Sequence, residues 1–420
     1  MAKPKLALIP ATQGSKLYSV LPADGVGDFT FSRNSAATRI NKDGLIETVA
    51  VGKSRLNYPL IDGVVNGCPS HLLEPSRTNI IPRSEDIDTG WSKSNATVAN
   101  NQTISPNGTL NAGLVTATST SGQHILYDTL IGSVTAGADY FISCFVKKST
   151  TRYIRLQDGY SGAQIYIDLD TNSIISETGG ASESIIENYG NGWFRVGFKF
   201  TADSSGNSQF ALYVNDNSNN NAYAGSGEAV YVFGVQLEQG SYPTSYIPTS
   251  GSAVTRSAET ATGAGDASTF NDSEGVLMAE ISALDNDLTY RSISIGDGGG
   301  VINLFYSNVS NTIVASSAGG ALIIKQLSDI TNFNKVIFKY KQNDFSLWVN
   351  GFEIGTDTSG TTGNALTTLS FDNNAGGSKW YGSAKQIQYF DSALNDSDLE
   401  TITSWTSFTD LANGQTYSIK

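Results

Sequence analysis

Cysteine, histidine and positive charge are all scarce in this sequence, and each scarcity excludes something. Two cysteines in 420 residues cannot build a disulfide framework. Cys144 lies in an apolar strand pattern, Phe141 to Val146, and both thiols, Cys68 and Cys144, are expected to be buried. The two histidines, His71 and His124, leave almost no base to activate a serine or cysteine nucleophile, and each is expected to be a hydrogen-bonded structural residue. With 26 Lys and Arg against 39 Asp and Glu, the net charge is −13 and no basic run exists to neutralise phosphates. Nucleic acid and anionic membrane surfaces are therefore excluded as partners. No apolar run is long enough to span a bilayer, and Met1 to Lys16 lacks the apolar core of an export signal. Assembly in a cytoplasm without membrane insertion is the expectation.

Carboxylates are plentiful but unpatterned. Glycoside hydrolysis needs two of them roughly 5 to 10 Å apart across a groove. No Glu-x-Asp-x-(x)-Glu strand occurs, and Glu280, the nearest approach, lacks the later acids. A non-enzymatic protein is expected, with a polysaccharide depolymerase as the alternative.

What the sequence does have is 43 glycines, 19 tyrosines and 18 phenylalanines, the signature of many short strands joined by tight turns. The fold class is mostly β: two antiparallel jelly-roll or lectin-like sandwiches after an irregular N-terminal segment. Residues 1–90 form that segment, with little strand or helix regularity. Residues 91–249 hold eight strand candidates at regular spacing, the pattern of a jelly-roll. Tyr242-Pro243 to Thr249 should run back over this unit, with residues 250–267, rich in Ser, Thr, Ala and Gly, forming a loose tether. Residues 268–420 form the second sandwich, with hairpin turns at Gln342-Asn343-Asp344 and Asn350-Gly351. One helix is expected over Asp396 to Trp405, capped by Asn395, with Leu399, Ile402 and Trp405 at helical spacing.

Phe31 to Arg39, Asn41 to Gly44, Leu72 to Asn79, and Ser84 to Asp86 before Trp91 together resemble a segment recurrent in tailed-bacteriophage structural proteins. In that family the segment precedes a carbohydrate-binding-module-like sandwich and then a laminin G or concanavalin A-like one, and the double hairpin from Asn334 to Gly355 looks like the core of the latter. The resemblance implies a virion component such as a head fibre, tail fibre or tail-tip protein, assembled in the host bacterial cytoplasm, with a pure capsid or tail decoration protein that binds no glycan as a further alternative. It implies other virion proteins as partners and a homotrimer, with host-surface glycan as a further partner. Phe31, Arg33, Arg39, Leu73, Glu74, Pro75 and Arg77 are the leader residues to which it assigns attachment or oligomerisation. The leader's irregularity points the same way, because its backbone groups need partners that a neighbouring chain could supply.

Two kinds of ligand site suggest themselves. Exposed aromatics stack on sugar faces. In the strand from Phe345 to Asn350, Trp348 points with Asn350 away from the Phe345, Leu347 and Val349 face, toward either a glycan or a covering surface. Trp380 and Tyr381 on a predicted loop are the second pair. For metal, Asp168, Asp170 and Asn172 stand at i, i+2 and i+4 like the opening of a calcium loop. Ser173 and Gly179 occupy its glycine and glutamate positions, which favours an Asx-rich hairpin turn. Asp285, Asp287 and Asp297 are a second acidic group. No cofactor is expected beyond a structural calcium.

Overall fold

A computed structural model of the chain describes residues 3–13, 16–130 and 132–405. Alternation along the strand Asp139–Lys148 sets the layering of the first sandwich. Tyr140, Ile142, Cys144 and Val146 enter a core shared with Ile154, Leu156, Ile165, Phe198 and Leu212. Phe145 faces the other way, into a smaller cluster with Ile46, Trp193, Phe233 and Tyr246.

Two six-stranded antiparallel sheets enclose the main core. The first runs Ser92–Ser94, Ile125–Leu130, Ser208–Val214, Tyr153–Asp158, Gln164–Asp168, Ser173–Thr178. The second runs Ala96–Ile104, Leu110–Ala117, Ala229–Gln239, Asp139–Lys148, Trp193–Thr201, Ser182–Asn188. A bulge interrupts the central pairing between Ser143 and Phe145. Gly234 sits there with φ +61°, and a Cβ would meet the Phe145 ring at 2.8 Å, so only glycine lets the aromatic cluster close. Tyr246 packs 5.5 Å from Phe233, as expected for a segment that doubles back over the sheet. Cys144 is buried as expected, but Cys68 is exposed, lying outside the apolar patterns.

The second sandwich pairs a five-stranded sheet with an eleven-stranded one, and the larger sheet corrects the expected domain plan. Leu6–Gln13 pairs with Gly382–Phe390, the register joining Leu6 to Tyr389. Lys16–Leu21 and Phe29–Ser32 extend the sheet outward, and Ser70–Leu73 pairs with the start of the same Gly382–Phe390 strand. Leu6, Leu8, Leu17, Phe29, Phe31 and Leu73 share one core with Leu277, Phe338, Leu347 and Ile387. The leader is thus part of the second sandwich. Its backbone finds partners in its own chain, so its irregularity no longer argues for a neighbouring copy.

The expected tether is also corrected. Val254–Arg256 pairs with Arg77–Asn79, and Thr260–Thr262 pairs with Phe29–Ser32. Arg256, Glu259, Ala261 and Ala264 are all buried. Small residues let this segment pack closely between layers, where they had suggested flexibility.

The hairpin turns stand where the sequence puts them, with Asn172, Asn343 and Asn350 at positive φ. The helix Asp396–Ser404 is capped by Asn395, whose Oδ1 accepts the Asp398 N–H at 3.0 Å. Leu399 and Ile402 press on Val276, Met278, Ile337 and Trp348. Among the described residues no helix is long and apolar enough to cross a membrane.

Candidate functional site

Strand alternation leaves the outer face of the first sandwich's first sheet uncovered. In Tyr153–Asp158, Ile154 and Leu156 are fully buried in the core, so Tyr153, Arg155 and Gln157 point outward. Register brings matching side chains beside them. Arg155 pairs with Tyr213 on one side and Tyr166 on the other, and Tyr166 with Ser176. One step along, Tyr127 pairs with Ala211, Ala211 with Gln157, and Gln157 with Gln164. The face is a plate of tyrosines and amides, with Tyr127, Tyr153, Tyr166, Gln157, Gln164 and Gln209 all partly exposed.

Its polar groups are unevenly committed. Gln164 donates to Thr178 Oγ1 at 3.0 Å and Gln209 to Thr129 Oγ1 at 2.8 Å. Tyr127 and Gln157 make no side-chain hydrogen bond to any described residue. The Arg155 guanidinium lies 3.5 Å from the Tyr213 ring centre and 5.8 Å from that of Tyr166, a cation held between two π faces. Rings for stacking, amides for hydroxyl groups and a cation set among them form a surface suited to sugar. The sequence carries a signal for it: polar and tyrosine residues alternate with Ile and Leu in Tyr153–Asp158 and Gln164–Asp168, which marks a sheet with one solvent face.

The predicted aromatic pairs are not on this face. Trp348 is 6% exposed beneath the helix, where Leu399 and Ile402 cover it, and its indole N–H donates to Ser346 Oγ at 3.1 Å. The covering surface that the strand pattern left open is this helix. Asn350 is exposed but spent on the turn, its Oδ1 accepting the Lys335 N–H and its Nδ2 donating to Asn334. Trp380 is 1% exposed and packs 5.1 Å from Tyr306 in the second core, with Tyr381 half-buried next to it. Burial rules out both tryptophans as platforms.

The metal reading also gives way. Asp168 accepts the N–H groups of Asp170 and Thr171 and is ion-paired with Arg152 at 2.6 Å. The Arg152 hydrogen bond above all holds Asp168 at a pKa of about 2. Lys148 engages Asp170, and Asn172 takes the left-handed turn position, so the run is an Asx turn. Asp287 is bound by Arg291 at 2.7 Å. Among the described residues no group of three or more His, Cys, Asp or Glu side chains is placed to hold a metal.

The leader residues marked for attachment serve an internal junction. Arg33 donates to Glu259 Oε1 at 2.7 Å, Arg55 binds both Glu259 and Glu74, and Arg256 reaches Glu74 at 2.9 Å. All five charges are buried. Burial opposes ionisation of Glu74, yet Arg256 and Arg55 hold its pKa at about 2. Phe31 and Leu73 are core, and Arg39 pairs with Glu47 across its own hairpin. Arg77 lies over the Tyr242 ring, and the Pro75 carbonyl accepts from Arg256. Nothing in the described residues leaves this set open to another chain except the half-buried Arg39, Pro75 and Arg77.

Both histidines are fully buried. His124 is buried with its ring nitrogens 2.6 and 3.0 Å from the carbonyls of Asn95 and Tyr223, the hydrogen-bonded role expected of it. His71 packs edge-on to Phe31 and Phe371, and neither of its buried ring nitrogens has a hydrogen-bond partner among the described residues, which corrects the hydrogen-bonded role expected of it. A cleft of about 620 Å³ between leader and first sandwich is lined by Asn57, Tyr58, Asn172, Glu187, Tyr189 and Phe194. In the smaller space adjoining it, Arg195 already donates to the Thr244 carbonyl at 2.9 Å.

No protein-family model matches the chain, and no curated protein matches it in sequence. Solved structures with similar β architecture include the CBM40 module of Ruminococcus gnavus IT-sialidase, 15% identical over 33% of this chain and 92% of that one, TM-score 0.29. Domain 4 of AbnA, a GH43 extracellular arabinanase from Geobacillus stearothermophilus in complex with arabinotriose, is 10% identical over 39% and 82%, TM-score 0.28. Trypanosoma rangeli sialidase is 11% identical over 76% of this chain and 65% of that one, TM-score 0.29. At such scores these likenesses carry no argument about ligand or activity.

Proposed function

We propose that this chain is a non-enzymatic carbohydrate-binding component of a bacteriophage particle, which holds host-surface glycan on the open face of its first sandwich. The single observation that carries the binding half is the plate of Tyr127, Tyr153, Tyr166, Gln157 and Gln164, registered side by side and partly exposed. Stacking on tyrosines is tolerant of sugar identity, and the amides fix hydroxyl positions at the rim. The non-enzymatic half is supported by how the acids are used. Asp168 is tied to Arg152, and Glu74 and Glu259 are buried against arginines, so none of them stands free as a catalytic pair. The virion half rests on the leader's resemblance alone.

A glycan array read with the full chain and with Tyr127→Ala plus Tyr166→Ala tests the site. Binding that the double variant loses while its melting curve is kept supports it; binding unchanged in the variant rejects this face. Release of reducing sugar from a bound glycan would reject the non-enzymatic reading. Immunogold labelling of intact phage particles tests the location, and an unlabelled particle rejects it.

A further inference from the structure

Six arginines are buried: Arg33, Arg55, Arg155, Arg195, Arg256 and Arg291. Four of them, Arg33, Arg55, Arg256 and Arg291, are ion-paired to carboxylates. Arg195 donates to the Thr244 carbonyl at 2.9 Å and to Ser143 Oγ at 3.2 Å. Arg155 shares with Arg195 the lack of an ion-paired carboxylate, but it has neither of the bonds that hold Arg195. At 6% exposure it has no carboxylate partner, its Nε has no acceptor, and its one hydrogen bond is a long 3.4 Å contact from Nη1 to the Tyr166 hydroxyl. A guanidinium stripped of water without an anion is costly to maintain, since buried charges are ordinarily paired. The two tyrosine rings offset part of that cost by cation–π attraction, and they leave Nε buried without an acceptor.

We infer that Arg155 is the receptor for the carboxylate of an acidic sugar, so that the face selects glycans carrying uronic or nonulosonic acid residues over neutral ones. The inference rests on the face being the glycan site. Nε–H and Nη2–H point the same way and form the side-on fork that matches the two oxygens of a planar carboxylate. Tyr166, held to the guanidinium by the long hydroxyl contact and the more distant of the two ring contacts, is the side chain that yields on binding. The neighbouring amides suit the rest of the sugar: Gln164 Oε1 is buried without a donor, and Gln157 stands next to it in register. The nearby Arg152 does not compete, because Asp168 occupies it. No bond is made or broken, so the selectivity is that of a binding site.

The experiment uses the full chain and matched pairs: trigalacturonic acid against its methyl ester, and 3′-sialyllactose against lactose, alongside an array that includes sulfated and neutral glycans. The acid form should bind at least tenfold more tightly than its neutral counterpart in a pair that binds, weakening as salt rises. Arg155→Gln should erase that preference, and Arg155→Lys should keep only part of it, with thermal melts confirming that both variants fold. Equal binding of acid and neutral forms, a preference that survives Arg155→Gln, or a preference for sulfate esters over carboxylates overturns the inference and leaves the glycan-binding reading intact. Absence of binding to every glycan overturns both.

Discussion

Two buried arginines, Arg55 and Arg155, show how differently one chain treats the same group. Arg55, at the junction of leader and linker, meets the carboxylates of Glu74 and Glu259 and donates to the Thr38 carbonyl at 2.8 Å. Arg155, on the open face, meets two tyrosine rings and no acid. At the junction three arginines share two glutamates, so each buried charge there has an opposite charge in contact. On the face, Arg155 lacks such a contact. Paired charge marks architecture at the junction, and the charge without an acid on the open face is the one that we propose a ligand completes.

Removing one member of the junction should have the largest effect. Glu259→Ala leaves Arg33 and Arg55 buried without their shared acid, and breaking a buried pair in this way costs about 3–5 kcal/mol. Denaturant unfolding should show a lower midpoint. Proteolysis should also begin in residues 250–267, which Glu259 anchors, and a variant with unchanged stability would mean that the junction is slack. Trp348→Ala comes next. The indole fills the space under the helix against Leu399 and Ile402, so its loss should cost about 3 kcal/mol and free the helix, read as early hydrogen exchange over residues 396–404.

Acid should act on the same side of the comparison. His71 is buried, and burial foremost lowers its pKa from 6.5 to about 4. Between those values the unfolded chain binds a proton that the folded chain refuses, so stability is full above pH 6.5 and falls as pH drops through 4. The shift corresponds to a loss on the order of 3 kcal/mol. Glu74, with a folded pKa of about 2 against an ordinary 4.5, adds a second loss below pH 4.5 as the pH falls through 2. His71→Leu should flatten the first segment of the stability–pH curve and leave the second. A curve unchanged by that substitution would remove His71 from the account.

How much of this was legible beforehand depends on sequence distance. The strands of both sandwiches, the three asparagine turns and the Asn395 cap are local patterns, and period and turn chemistry reveal them. The leader's membership of the second sandwich is not local: Leu6 pairs with Tyr389, and Arg33 with Glu259, across chain separations that no periodicity records. A segment rich in small polar residues reads as a solvated tether, and that pattern hides the burial of Arg256 and Glu259. Trp348 failed as a ligand residue for a related reason. The pattern correctly turned it away from the Phe345 and Leu347 face, but alternation cannot say that a helix some fifty residues later covers the other side.

The open face should respond in the opposite way, with the smallest effect on folding and the largest on ligand. Tyr127 is half-exposed and makes no side-chain hydrogen bond to a described residue, so Tyr127→Ala should change stability by less than about 1 kcal/mol. If the ring is a stacking surface, the same substitution should weaken glycan binding roughly tenfold, measured by calorimetry on the best array ligand. The two readouts separate a platform from a packing residue. A variant that loses stability along with binding would place Tyr127 with the junction residues, as part of the framework. A variant that loses neither would move the binding surface toward Arg155 and Tyr213, where the unpaired charge lies.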